Sequence, residues 1–241
     1  MIPLAPHAPV PMALCNRKPF GSLNHSSVYV AQNECFLSLI RNAQRTIFIQ
    51  TPDLNASPLM PALTQALKRG VEVTYYVCLG YNDSGELMPG QGGTNEMAAG
   101  SLLKSLTTPE ERARLHIFFY VAADQDHPIH NKFKQRSCHV KLLIADESVA
   151  VQGSGNQDTQ SWFQSQEVNV MVDSPLVCEA WREGIERNQN TRAYGRAAED
   201  GCWYDAKGNL AEGSLGMDPG RFAWAKGVKG AVGRLRGKGG F

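Results

Sequence analysis

Apolar residues in this chain recur at two spacings, and the spacing changes every ten to twenty residues. Over 32–44, Phe36, Leu37, Leu39, Ile40 and Ala43 follow the three- and four-residue interval of a helix with one buried face. Residues 46–51, Thr-Ile-Phe-Ile-Gln-Thr, read as a strand that Pro52 and Asp53 end. Ser57 before Pro58 predicts a helix start, with serine as N-cap and proline at the first helical position. Leu59, Leu63, Ala66 and Leu67 give that helix its buried face, and Gly70 stops it. A Val- and Tyr-rich strand follows over 71–79, then helices over 95–106 and 109–115, the second capped by Thr108, and a strand over 116–121. Further on, two strands flank a turn at 145–148, the second over 148–152. A short helix is expected over 159–166 and a strand over 167–172, before Ser174 and Pro175 open a last helix reaching about residue 194. Helices and strands alternating over short connections predict an α/β fold with parallel strands covered by helices. The glycine-rich loop 80–93 follows a strand end, where such folds either line a ligand crevice or simply connect.

Composition sets the scale. The 241 residues suit one α/β domain with tails, and 42% apolar against 20% charged residues leaves enough material for a sizeable core. A net charge of +1 gives no global signal for nucleic acid or for an acidic membrane. Six cysteines without a CxxC pair read as reduced, buried small hydrophobes rather than a zinc site. The N-terminus lacks the basic start and unbroken apolar stretch of a signal peptide, and no run is long enough to cross a membrane. An intracellular protein, cytoplasmic or peripheral to a membrane, is the expectation. Residues 1–24 read as a linker-like lead-in, 25–200 as the domain, and 201–241 as an extension. The extension has a turn at Lys207-Gly208-Asn209 and a basic, glycine-rich tail from Trp224 that is expected to be disordered, either solvated or drawn to anionic lipid or nucleic acid.

The densest chemistry lies between Cys138 and Val172. His139 and Lys141, two apart on an expected strand, share a face, while Val140, Leu142 and Ile144 turn to the core. Asp146 falls in the following turn, and the return strand delivers Gly153, Ser154 and Asn156 to the end that carries His139. Breaking a phosphodiester without a metal needs a nucleophile, a proton donor for the leaving oxygen and positive charge on the non-bridging oxygens. A neutral His139 can be the nucleophile and Lys141 the fixed charge. Ser154 and Asn156 add polar groups for a phosphate, and Glu167, opening the next strand, is placed to orient His139. Asp146 suits stabilisation of the turn better than contact with substrate.

His139-x-Lys141-x4-Asp146-x6-Gly153-Ser154-x-Asn156 resembles the HKD motif of the phospholipase D superfamily. Upstream, 40–55 and 62–73 are similar to the region before a motif in cardiolipin synthases and related proteins, so the resemblance spans roughly 28–195. It implies an α-β-α sandwich with a mixed, largely parallel sheet, and a covalent phosphohistidine that water or an alcohol resolves. It implies no metal or other cofactor. His139, Lys141, Asp146, Asn156 and Glu167 are carried over as the catalytic set, with Lys141, Ser154 and Asn156 on the substrate phosphate. The implied substrate is a phospholipid or another phosphodiester, a reading compatible with peripheral membrane contact, and nucleic acid is a weaker alternative.

The motif occurs once. In-line displacement at phosphorus puts the attacking and leaving atoms on opposite sides, so one imidazole cannot attack and protonate the leaving group in the same step. The second histidine is expected from a homodimer mate or from a second phospholipase D half, this chain then being the C-terminal half of a two-motif protein. A catalytically silent unit that binds anionic ligands is the third reading. His130-Asn131-Lys132 repeats the H-x-K spacing, but Ser137 stands where the aspartate would fall, so it reads as loop that reaches the pocket rim at most. His7, His25, His116 and His127 lack matching context and read as structural or surface residues.

Overall fold

The structure is a computed structural model that describes residues 6–20, 29–220, 225 and 228. Seven strands form one sheet in the order β1-β7-β6-β5-β2-β3-β4. Strands β2 (Thr46–Gln50), β3 (Glu72–Val77) and β4 (Leu115–Phe119) pair in parallel. The rest of the sheet, β5 (Leu142–Ala145), β6 (Val149–Gly153), β7 (Asn169–Asp173) and β1 (Met12–Leu14), joins through antiparallel pairs. The sheet is therefore mixed. Only β5 and β7 run against the other five strands, although just two of the six neighbouring pairs are parallel.

Period-two alternation divides the central strands between two cores. Ile47 and Ile49, Val73 and Tyr75, Ile117 and Phe119, Leu143 and Val151 face one side. There they meet α1 (Ala31–Asn42), α2 (Leu59–Lys68) and α4 (Asn95–Ser105), through Phe36, Ile40, Leu63, Leu67 and Leu102. Phe48, Tyr76, Phe118, Leu142 and Ile144 face the other side, against Cys178, Trp181 and Ile185 of α7 (Pro175–Arg187). Helices thus cover both faces, as the sequence pattern predicts. Short helices α3 (Asp83–Glu86), α5 (Pro109–Ala113), α6 (Thr159–Phe163) and α8 (Thr191–Tyr194) complete the connections.

Several termini form as their residues dictate. Thr108 and Glu111 make a reciprocal capping box at α5. Ser174 caps α7, its hydroxyl accepting from Val177 N at 3.4 Å. Gly70, at φ +95°, closes α2, with Val71 N donating to Ala66 O and Gly70 N to Leu67 O. Ser57 and Pro58 behave differently: they form a turn, and α2 begins at Leu59 without a serine cap. Helix α7 stops at Arg187, because the chain then bridges Ala122 through Gln189, whose side chain pairs with buried Gln50. Val140 is not core but 38% exposed, since β5 begins only at Leu142. All six cysteines are buried and free.

The lead-in expected over 1–24 contains β1, which pairs with the outer edge of β7, Met12 opposite Val172 and Leu14 opposite Val170. From the extension, Cys202 is buried and Glu96 of α4 accepts the Ser214 hydroxyl and the Leu215 and Gly216 amides. Most of the basic tail lies outside the described residues. No helix among the described residues is long and apolar enough to cross a membrane.

Candidate functional site

His139 and Lys141 lie on the extended approach to β5, and the ladder continues as far as Lys141, whose carbonyl accepts from Gly153 N at 3.3 Å. Lys141 is buried, and its Nζ donates to the His139 carbonyl at 2.8 Å. Burial lowers the ammonium's affinity for its proton, against the raising effect of Cys138 and Glu167. His139 stands at the rim, open to solvent, its ring stacked on Tyr81 with centroids 6.2 Å apart and planes at 28°. Partial burial and then the Lys141 charge lower its pKa, which favours the neutral imidazole. Its ring nitrogens bond to no other described residue.

Ser154 follows β6 where the backbone passes close to β7: a Cβ on Gly153 would lie 2.3 Å from Val168 O. The Ser154 hydroxyl donates to Glu167 Oε2 at 2.5 Å and accepts from Val168 N at 2.9 Å. Glu167 is buried and its main chain is paired with Arg17 in both directions at 3.0 Å. Burial first, opposed by the Glu167 charge, lowers the pKa of the buried Arg17 guanidinium. The lead-in segment therefore reaches the back of the site. Asn156 Nδ2 donates to Asp158 Oδ2 at 3.1 Å, and its Oδ1 is buried without a hydrogen-bond partner among the described residues. Asp158 caps α6, accepting from Ser161 N at 2.6 Å.

His139, Lys141, Ser154, Asn156 and Glu167 line one cavity of about 340 Å³, together with Tyr81, Asn82 and Asp158. The structure brings five of the residues singled out by sequence to one place. Two features differ from expectation. Glu167, expected beside His139 as its orienting carboxylate, is bonded to Ser154 instead. Asp146, carried over with the catalytic set, sits at the opposite end of β5, roughly 16 Å from Lys141 at the strand rise of about 3.3 Å per residue. Its carboxylate accepts from Gln44 N at 2.8 Å, Arg45 N at 2.7 Å and Thr46 N at 2.9 Å, pinning the β5–β6 turn to the start of β2. Burial acts to raise its pKa, but these amides and the Arg45 charge outweigh it, and the carboxyl is held below its ordinary range.

No sequence motif singles out Tyr81, Asn82 or Asp158. Tyr81 and Asn82 come from the glycine-rich loop after β3, one of the two roles expected of it. Asp158 belongs to a capping pattern, Asp158-x-x-Ser161, that points to a helix start and not to a cavity. Neither His130 nor Lys132 lines the cavity. Among the described residues no cluster of His, Cys, Asp and Glu could hold a metal ion. Larger depressions elsewhere, of about 680 Å³ beside α5 and about 650 Å³ beneath α7, combine no exposed imidazole with a buried cation.

A family model described as cardiolipin synthase, PLD-like domain, matches residues 36–188, more than half of the chain. The chain belongs to the phospholipase D superfamily. Two solved structures repeat its fold. NucT from Helicobacter pylori is 12% identical with a TM-score of 0.52, the match covering 75% of this chain and 96% of that one. Phosphatidylserine synthase from Haemophilus influenzae Rd KW20 is 14% identical with a TM-score of 0.51, over 75% of this chain and 39% of that one. The chain thus spans well under half of the second protein. No curated protein matches it by sequence. In this phospholipase D family member the cavity has an imidazole at its mouth, a buried lysine in its wall and a hydroxyl fixed by a carboxylate.

Proposed function

We propose that the chain is a phospholipase D-type phosphodiesterase in which His139 is the nucleophile. One observation carries this reading: an imidazole without a hydrogen-bond partner among the described residues opens on the same cavity as the buried Lys141 side chain. A ring nitrogen of His139 attacks phosphorus, the N–P bond forms, and the P–O bond to the leaving alcohol breaks. A second acid protonates that alcohol. Water or another alcohol then attacks phosphorus, giving its proton to the conjugate base of that acid, and the N–P bond breaks, restoring His139. Lys141 and the second N–H of the Asn156 amide neutralise the non-bridging oxygens, and Glu167 acts through Ser154 by holding its hydroxyl. Asp146 acts at a distance, by fixing the hairpin.

The acid that protonates the leaving group comes from a two-fold mate or from a second phospholipase D half. Residues 25–200 with Met12–Leu14 form the catalytic unit. The description of the matching family favours a phospholipid diester as substrate. A nuclease reading draws on Lys132, Lys134 and Arg136, exposed just upstream of His139, although Arg136 is already paired with Asp124 at 2.6 Å.

Solution mass and hydrolysis of bis(p-nitrophenyl) phosphate test the mechanism together. A dimer with activity that His139→Asn abolishes, with an unchanged melting profile, supports it. Activity retained in that variant refutes it. Hydrolysis of phosphatidylglycerol vesicles against single-stranded DNA separates the substrate classes. A monomer inactive on all three substrates leaves the silent or half-enzyme reading.

A further inference from the structure

His130, outside the cavity, is tied to the loop that forms one of its walls. It is 5% exposed, and its Nε2 lies 3.0 Å from Asp83 Oδ2. Its Nδ1 accepts from Lys132 N at 3.1 Å, which leaves Nε2 as the protonated nitrogen, donating to Asp83. The ring also fills the space where a side chain on Gly80 would be, since a Cβ there would lie 2.1 Å from His130 Cε1. Gly80 has φ +65°, so its backbone favours glycine as well. Two more bonds staple the same segments: Asn131 N donates to Leu79 O at 2.8 Å, and Asn131 Nδ2 to Tyr81 O at 3.2 Å. Leu79, Gly80, Tyr81 and Asp83 are thus gripped from one side, and from the middle of that stretch the Tyr81 ring stacks on His139.

We propose that His130 is a positioning residue that clamps the loop after β3 through Asp83 and Gly80, and thereby holds Tyr81 against the His139 imidazole. The clamp works as a neutral donor on a carboxylate, with the ring as a steric stop behind the glycine. It needs no contact with substrate. The kinetic arm of its test rests on the phosphodiesterase reading, while the spectroscopic arm does not.

The experiment uses the full chain labelled with 15N, with His139 assigned by its loss in His139→Asn. Long-range 1H–15N spectra follow the His139 ring nitrogens, and bis(p-nitrophenyl) phosphate gives kcat and KM. Removing the clamp in His130→Ala shifts the His139 ring signals and lowers kcat by roughly ten- to a hundred-fold with KM changed less than about two-fold. His130→Gln, whose amide nitrogen can replace Nε2 as donor to Asp83, restores both. His130→Asn, too short to reach Asp83 from the same backbone, does not. If the alanine variant fails to fold, the difference between glutamine and asparagine decides the matter. A double variant of His130→Ala with Tyr81→Leu loses no more than the worse single change, because both act on one contact. Unmoved His139 signals in a folded His130→Ala, or equal behaviour of the glutamine and asparagine variants, overturn the proposal. A wild-type chain without diesterase activity refutes the functional reading alone, and the spectra still test the clamp.

Discussion

Asp146 separates a chemical role for the motif carboxylate from a mechanical one. Its oxygens accept from three consecutive main-chain amides, and its backbone sits at φ +51° in the left-handed region. Hydrogen bonds to a charged group contribute about 1.5–3 kcal/mol each when sheltered. Gln44 and Arg45 are exposed, so screening by water reduces the three together to about 1–2 kcal/mol. Alanine in the left-handed region costs a further ~1 kcal/mol or more, which aspartate, asparagine and glycine largely avoid. Asp146→Ala is therefore expected to lose about 2–3 kcal/mol, Asp146→Gly about 1–2, and Asp146→Asn about 1, because one carbonyl oxygen remains. At about 2–4 °C per kcal/mol for a chain of this size, the alanine variant melts roughly 4–12 °C early by calorimetry. The folded pKa is depressed, so this stabilisation is complete above the ordinary carboxylate range and is lost as pH falls below about 4. Activity of the folded asparagine variant stays within a few-fold of wild type. A wild-type melting temperature in Asp146→Ala would refute the mechanical role. So would a folded Asp146→Asn as inactive as His139→Asn.

Three further outcomes follow from the same physical reasoning. Buried Asp53 and Glu86 face each other, with Asp83 and Asp158 near, and burial above all raises both pKa values, Asp53 to about 8. The folded state then holds protons that the unfolded chain releases, so stability falls as pH rises from about 4 through 8, by up to ~1.4 kcal/mol per pH unit per proton. Asp53→Asn flattens this slope in melts taken from pH 5 to 9, and an unchanged slope counts against a proton held at Asp53. Thr108→Ala removes the acceptor for Glu111 N and lowers stability by about 1 kcal/mol in urea titrations; no change would mean that the α5 cap is idle. Gly195→Ala puts a Cβ 2.0 Å from Phe119 O and unfolds or strongly destabilises the chain, and a stable variant would place this turn elsewhere.

Local features were legible and pairings were not. The apolar stripe of α1, the glycine stop of α2 and the capping box of α5 depend on residues within a few positions of one another, so sequence spacing suffices. Strand β1 has no such signature: Met12 and Leu14 are 63% and 72% exposed, and the strand exists because β7 offers it an edge. The insertion of β5 between β6 and β2 likewise depends on partners that no local pattern names. In the cavity, His139, Lys141, Ser154 and Asn156 were found through their fixed gaps on one hairpin. Tyr81 comes from a loop some 58 residues earlier, and behind the cavity Arg17, which pairs with the Glu167 main chain, comes from a segment without periodicity, while the side-chain partner of Glu167 is decided by which strand ends meet.

The hairpin also gives the motif's gaps a meaning of their own. Four residues between Lys141 and Asp146 are the length of β5, and six between Asp146 and Gly153 are the turn and the return along β6. The motif is a ruler of one hairpin, with chemistry at one end and an anchor at the other. A single inserted residue in either arm would turn every following side chain to the opposite face and take Lys141 or Ser154 out of the cavity. A chain under selection only for this hairpin would keep Asp146 and Gly153 and be free to exchange His139. On the mechanism proposed for His139, the histidine, rather than the completeness of the spacing, would distinguish a working enzyme in such a family from its scaffold.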